Sequence, residues 1–318
     1  MTYLLVGNYG VGNIGDEALR EYFLQRFPQV TWRVVSAHPQ KDEFQRFPCG
    51  VRSFISFGWM KTLRELKKSD GMVLGGGSLF TDVESRRACL LWWVQVFFAW
   101  ALRKKVMLAF QGIGPFRTAM GERLARSAVR KADFISVRDP QSLERVQSWK
   151  LKSDVLESFD PVFALVDQQE MDLAAEKVLI VIPRENSGEP LLSALHKILQ
   201  SGRFTRVHIL LLQPDSLSEQ KFSKSVQDDV QVESSVSEVR TLHDLSSGVA
   251  QGSLVLTQRF HGGVVALALG KELDVVPQEK HDKLDALSAL LHSTPAHGRK
   301  ERLQALVQKG EDALRSLL

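Results

Sequence analysis

A carboxylate threaded through glycines is the first chemical signal in this chain. Gly7-Asn8-Tyr9-Gly10-Val11-Gly12-Asn13-Ile14-Gly15-Asp16-Glu17 follows the apolar run Tyr3-Leu4-Leu5-Val6 and precedes a helical pattern. Strand, glycine-rich turn and helix start together present backbone N–H groups to an anion. The spacing G-x-x-G-x-G-x-x-G is not the dinucleotide fingerprint, and Asp16 would repel a phosphate. The acid points instead to chemistry on a hydroxyl, or to capping of the next helix; Asn8 and Asn13 share its loop.

Three further strand ends carry similar features. Gly75-Gly76-Gly77-Ser78 follows a strand at 72–74, where consecutive glycines let a ligand approach the backbone. Gln111-Gly112-Ile113-Gly114-Pro115 is read as another loop after a strand, and Arg138 ends a third. The planar fork of Arg138 suits a carboxylate or phosphate, and equally a structural ion pair with Asp139 or another acid. Asp160-Pro161 reads as a bend or cap. In the second half, Thr257-Gln258-Arg259-Phe260-His261-Gly262-Gly263 ends a buried strand and opens an apolar helix. Alternation along a strand would point Arg259 and His261 the same way, toward an anion at the helix N-terminus. Glu279-Lys280-His281-Asp282-Lys283 offers a lysine to complete a cationic pocket, or a solvated charge cluster.

Parallel βαβ units are the elements that must position these groups. Apolar runs alternate with helical patterns throughout. Strands are expected at 3–7, 31–36, 71–74, 106–110, 134–137 and 153–157, then at 177–182, 206–212, 230–233, 253–257 and 273–276. Helices are expected between them, including 236–246 and a last one at 299–318, which fits against either domain. The polar stretch Asp167-Gln168-Gln169-Glu170 reads as a linker. The expected architecture is α/β, two doubly wound Rossmann-like domains facing a cleft: residues 1–167 with the glycine loops, and 168–318 with the C-terminal helix.

Composition narrows the class. With 318 residues, 44% hydrophobic and 25% charged, the chain is ordinary globular material. Cys49 and Cys89 form neither a disulfide framework nor a zinc pattern, which suits a reducing cytoplasm, and no basic leader precedes the first strand. A net charge of +4 without a basic stripe argues against nucleic acid. No metal-ligand set stands out. Residues 88–102 are almost wholly apolar, with Arg86-Arg87 before and Arg103-Lys104-Lys105 after. They fall short of the roughly 18 residues a spanning helix needs. They read as a helix buried beside a sheet, or as a tryptophan-rich face on a membrane interface.

Taken in order, G-N-Y-G-x-x-N-x-G-D-E-A (7–18), G-G-G-S-L-x-x-D (75–82), Q-G-I-G-P (111–115), S-V-R-D (136–139), D-P (160–161) and R-x-H (259–261) resemble the polysaccharide pyruvyl transferase family, particularly its bacterial cell-wall branch. The resemblance implies a fold similar to GT-B glycosyltransferases, with an acceptor-side first domain and a donor-side second. It implies transfer of a pyruvyl group from phosphoenolpyruvate, a co-substrate, to a sugar of a cell-envelope polysaccharide or its lipid-linked precursor, with no cofactor. Asp16 and His261 fall at its catalytic positions, and Arg138, Arg259 and Lys280 at donor-binding ones, with Lys283 the other candidate for the lysine. Asn8, Asn13, Gly75, Gly76, Gly77, Ser78 and Gln111 would line the cleft. The implied location is the cytoplasm, peripheral to the inner face of the plasma membrane if residues 88–102 meet lipid. Thr257 stands where a serine is common, and His261-Gly262 where alanine or another small residue often follows. The rival readings are a GT-B glycosyltransferase using a nucleotide-sugar donor and a non-catalytic sugar- or nucleotide-binding protein.

Overall fold

The computed structural model describes residues 1–83, 85–151, 154–166, 177–184, 187–278, 283–293, 295 and 297–318. They form two compact units, Met1–Pro161 with Leu303–Leu318, and Val162–Arg302. The stretch read as a linker, 167–170, lies outside the described residues.

In the first unit, β1 (Thr2–Val6), β2 (Thr31–Ser36), β3 (Phe44–Gln45), β4 (Gly71–Phe80), β5 (Lys105–Ile113), β6 (Phe134–Val137) and β7 (Leu156–Glu157) pair in the order β3-β2-β1-β4-β5-β6-β7. Every pairing is parallel. The second unit has β8 (Val178–Ile182), β9 (Arg206–Leu211), β10 (Glu233–Glu238), β11 (Leu254–Thr257) and β12 (Glu272–Val275), also parallel, in the order β10-β9-β8-β11-β12. Helices cover parallel sheets on both faces, which is why β1, β4, β5 and β8 read as continuous apolar runs. In each sheet the order reverses beside the first strand: between β1 and β4, and between β8 and β11. Crevices at the carboxyl ends of such strands are where doubly wound sheets bind ligands.

The first unit has α1 (Ile14–Arg26), α2 (Val51–Ile55), α3 (Trp59–Lys68), α4 (Ala88–Ala101), α5 (Ala119–Val129) and α6 (Pro140–Ser148). The second has α7 (Glu189–Leu199), α8 (Leu217–Asp229), α9 (Leu242–Ala250), α10 (Phe260–Ala268) and α11 (Lys283–Ser293), and α12 (Arg299–Arg315) ends the chain. Side-chain caps start α1, α5, α6 and α9. Asp139 caps α6 by accepting from Ser142 N at 2.7 Å, with Pro140 in the first turn. Thr241 and Asp244 form a capping box on α9.

Four expectations are corrected. Gly75–Gly77 and Gln111–Ile113 are not loops: they extend β4 and β5, whose pairing is irregular between Gly77 and Phe80. Residues 233–238 form β10, so no helix begins at 236; the helix starts at Leu242. Arg259 and His261 do not alternate on a strand, because β11 stops at Thr257. The terminal segment Leu303–Leu318 belongs to the first unit. There Glu311 accepts from Tyr22 (2.9 Å), Arg26 (3.1 Å) and Arg315 (2.6 Å), and Gly310 lets Phe110 approach.

Helix α4 divides by face. Cys89, Trp92, Gln95, Val96 and Ala99 are buried, while Leu90, Phe97 and Trp100 are exposed. Buried Gln95 is satisfied by Phe47, accepting from its N–H at 3.0 Å and donating to its carbonyl at 3.2 Å. Among the described residues no helix is long and apolar enough to cross a membrane.

Candidate active site

At the reversal point of the first sheet, the chain leaves β1 through Gly7–Gly12 and enters α1. Asn13 is the N-cap of α1, accepting from Gly15 N at 3.0 Å. It is a helix cap before it is a cleft residue. The cap position being filled, Asp16 is not the helix cap. Its carboxylate accepts instead from Asn8 Nδ2 at 2.9 Å. Asn8 is in turn held by Arg46, which donates to Asn8 Oδ1 (3.3 Å) and to the carbonyls of Gly7 (2.9 Å) and Tyr9 (3.2 Å). Burial lowers the Arg46 pKa, and the charges of Asp16 and Glu17 oppose that shift.

Beneath Asp16 lies a floor without side chains. Gly76 and Gly77 adopt φ of +81° and +86°, a left-handed backbone that glycine takes at no steric cost. A Cβ on Gly77 would stand 3.4 Å from Asp16 Oδ1. A Cβ on Gly75 would stand 2.4 Å from the Tyr9 hydroxyl, which donates to the Gly75 carbonyl at 3.0 Å. Burial, reinforced by Asp16 and Glu17, raises the Tyr9 pKa well above its ordinary value, so Tyr9 remains a neutral donor. This geometry brings Asn8, Asp16 and Gly75–Gly77 together.

Ser78 and Gln111 complete that floor. Gln111 is opposite Gly77 in the pairing of β4 and β5, and its Nε2 donates to the carbonyls of Leu74 (2.9 Å) and Ala109 (3.0 Å). Arg138 is buried, donating to Asp160 at 2.5 Å and to Ser78 Oγ at 2.7 Å. The ion pair open in the sequence is therefore with Asp160, while Asp139 serves α6. Gly112 is the floor of this pair, since a Cβ there would meet Ser78 Oγ at 2.8 Å.

In the second unit, Arg259 is the N-cap residue of α10 and His261 lies in its first turn. Thr257 Oγ1 accepts from Arg259 N at 2.9 Å, fixing the turn out of β11. The guanidinium spans the sheet's reversal point: Nε donates to the Pro183 carbonyl after β8 at 3.2 Å, and Nη2 to Gln213 Oε1 at 2.9 Å. Nη2 also pairs with Glu219, a buried acid on α8 whose other oxygen accepts from Gln213 N at 3.1 Å. His261 meets Phe260 edge to face, the ring centroids 5.5 Å apart. Lys280 lies outside the described residues, as does the Lys283 side chain. Among the described residues no group of three or more His, Cys, Asp or Glu is placed to hold a metal ion.

Sequence reasoning missed Arg46 and Glu219. Both act across long sequence separations, and neither sits in a glycine motif that would mark it.

The fold has counterparts among solved structures. The UDP-GlcNAc 2-epimerase of Methanocaldococcus jannaschii, in complex with UDP-GlcNAc and UDP, superposes with a TM-score of 0.61 at 10% identity, over 100% of this chain and 99% of that one. Anabaena Alr3699/HepE, in complex with UDP and glucose, gives 0.60 at 12% identity, over 99% and 98%. Acinetobacter baumannii MurG gives 0.51 at 10% identity, over 99% and 94%. At such identities the likeness is one of fold: two Rossmann-like parallel sheets of the GT-B type. No curated protein matches the sequence. A family description, polysaccharide pyruvyl transferase, matches residues 13–273, a span that holds Asp16, both glycine strands, Arg138, Arg259 and His261. The chain belongs to the polysaccharide pyruvyl transferase family.

Proposed function

We propose that this protein transfers a pyruvyl group from phosphoenolpyruvate to a sugar of a cell-envelope polysaccharide or its lipid-linked precursor, forming a pyruvate ketal and releasing phosphate. Family membership supports the transferase class. The observation that carries the chemistry is Asp16, oriented by Asn8 over a glycine floor at the first sheet's reversal point. An acid placed there suits a neutral, hydroxylated acceptor better than an anion.

In this scheme the first unit takes the acceptor and the second the donor. Asp16 accepts the proton of the attacking hydroxyl while His261 donates one to the methylene carbon of phosphoenolpyruvate. Protonation makes C2 electrophilic, and the hydroxyl oxygen bonds to it. Phosphate then leaves with the C–O bonding pair. A second hydroxyl attacks the resulting oxocarbenium carbon and gives its proton to the departing phosphate. The donor brings a carboxylate and a phosphate, which Arg259 and Lys280 would neutralise. Glu219 and Gln213 hold the Arg259 fork in one orientation. Arg138, tied to Asp160, orients Ser78 in the first unit. The reaction calls for no cofactor.

The test is a donor assay on purified protein with phosphoenolpyruvate and a panel of aryl- or lipid-linked amino-sugar acceptors. A product heavier by about 70 Da with equimolar phosphate supports ketal transfer. Asp16→Asn should lower turnover about 100- to 10,000-fold with the melting temperature unchanged. Product formed only from nucleotide-sugars would replace this reading with glycosyl transfer. The chain's fold likeness to UDP-sugar enzymes makes nucleotide-sugars the natural control.

A further inference from the structure

We infer that the outer face built by α4, the turn after α2 and the start of α3 docks on the headgroup region of an anionic lipid bilayer. A continuous chain of rings covers this face. Phe54 stacks on Trp59 (centroids 5.6 Å apart), Trp59 meets Phe98 (6.0 Å), and Phe98 meets Phe97 (6.3 Å). Phe97 in turn stacks on Trp93 (5.0 Å) and meets Trp100 (6.0 Å). Trp59, Trp93 and Phe98 pack partly on the core, while Phe54 (54% exposed) and Trp100 (49%) face solvent, as do the neighbouring Ile55 (61%) and Phe57 (59%). Contiguous apolar surface of this kind marks an interaction site.

Phe57 adds a second observation. Its φ of 53° places a bulky side chain in the left-handed region, at a cost of about 1–2 kcal/mol. Glycine or asparagine would fit that turn without strain. The exposed ring recovers nothing from the core of its own unit.

Charge decides between a bilayer and a second copy of the chain. No Asp or Glu occurs from residue 85 to 121, or from 44 to 64. Lys61, Arg64, Lys67 and Lys68 are exposed on α3, as are Arg86 and Arg87 before α4 and Arg103 and Lys105 after it. Lys131 Nζ sits 4.7 Å from the Trp100 ring centroid. Glu65, the acid of α3, is engaged by Arg33 at 3.0 Å. A symmetric dimer through this face would set cations against their own copies. An anionic surface attracts each nearby cation by about 1 kcal/mol, while Trp favours the headgroup depth and Phe the apolar side of an interfacial helix. The 14 residues of α4 would lie in the interface plane rather than span it.

The same helix reaches the glycine turn from its buried side. Trp92 lies under the Arg46 guanidinium at 4.9 Å, and Arg46 holds Gly7, Asn8 and Tyr9. Bilayer contact and the Asp16 network thus share one support.

The test needs no turnover, so its outcome is independent of the reaction proposed above. The full chain is sedimented with vesicles of phosphatidylcholine alone, and of phosphatidylcholine mixed with phosphatidylglycerol. Tryptophan emission and brominated-lipid quenching are followed in parallel. The expected result is binding to the mixed vesicles, with a blue shift, weakened by salt. Trp100→Ser and Phe57→Asn should each bind about tenfold more weakly at unchanged melting temperature. Absence of binding by the parent protein would overturn the inference, as would variants that bind like the parent. A dimer in solution that Trp100→Ser dissociates would assign the face to a second copy instead.

Discussion

Arg259 shows how a candidate site residue can be bound into its own unit. Its guanidinium is shared among Pro183, Gln213 and Glu219, and Glu219 is buried. Arg259→Ala would leave that carboxylate without its cation, a change that costs about 3–5 kcal/mol where a buried ion pair is broken. Urea unfolding of the second unit's signal should register that loss in the absence of any substrate. Adding Glu219→Gln should restore part of it, so the double variant is less destabilised than the summed singles. Equal stability of Arg259→Ala and the parent would mean that Glu219 finds another partner. Asp16, Arg259 and His261 stand out in the sequence as candidates because each ends a strand or opens a helix beside glycines. Arg46 and Glu219 do not. They reach their partners through side chains from β3's far end and from α8, and no local spacing encodes such an approach.

At the scale of elements, the glycines of β4 read as a loop because three in a row usually break a strand. The sheet keeps them because neighbours fill the space a side chain would need: Tyr9, Leu5 and Phe23 all lie within 2.8 Å of a Cβ built on Gly75. Gly75→Ala therefore overpacks the junction of β1, β4 and α1 and should cost about 1–3 kcal/mol. It should also displace the Tyr9 hydroxyl from the Gly75 carbonyl. A chemical melt gives the first effect, and the near-ultraviolet tyrosine band the second; an unchanged melt would show that Tyr9 swings away freely. Most strands and helices were legible from apolar runs and caps, Asp139-Pro140 among the clearest. Besides β3 and α2, two short elements that the apolar runs do not mark, the exception was β10. Glu233-Ser-Ser-Val-Ser-Glu238 holds a single apolar residue, and its strand character comes from parallel pairing to β9 along the sheet edge. Main-chain pairing of that sort leaves almost no trace in hydrophobic periodicity, so the sequence divides the stretch between a short strand and a helix.

At the scale of the whole molecule, residues Leu303–Leu318 return to the unit built by Met1–Pro161. A last helix at 299–318 was legible in the sequence, but its destination was not, because a helix does not name the surface it covers. Specificity comes from Glu311, buried on α12 against α1. Burial, the largest influence, would raise its carboxyl pKa. Hydrogen bonds from Arg315, Tyr22 and Arg26 together outweigh burial and hold the pKa below the ordinary glutamate value. A carboxylate depressed in the folded state contributes stability that is fully present above its unfolded pKa, about 4.3, and lost as pH falls through the folded value. Glu311→Gln should therefore cost about 1–3 kcal/mol near neutrality, where the charged hydrogen bonds are intact. The gap to the parent should begin to close once pH drops below about 4, and shrink further in stronger acid. Urea midpoints measured in steps from neutrality to pH 3 would trace this convergence, with Tyr22→Phe as a variant that removes one donor and keeps the charge. Parallel midpoints across that range would mean that α12 is held by its apolar contacts, Leu303, Val307 and Leu314, and that the ionised carboxylate adds nothing to them.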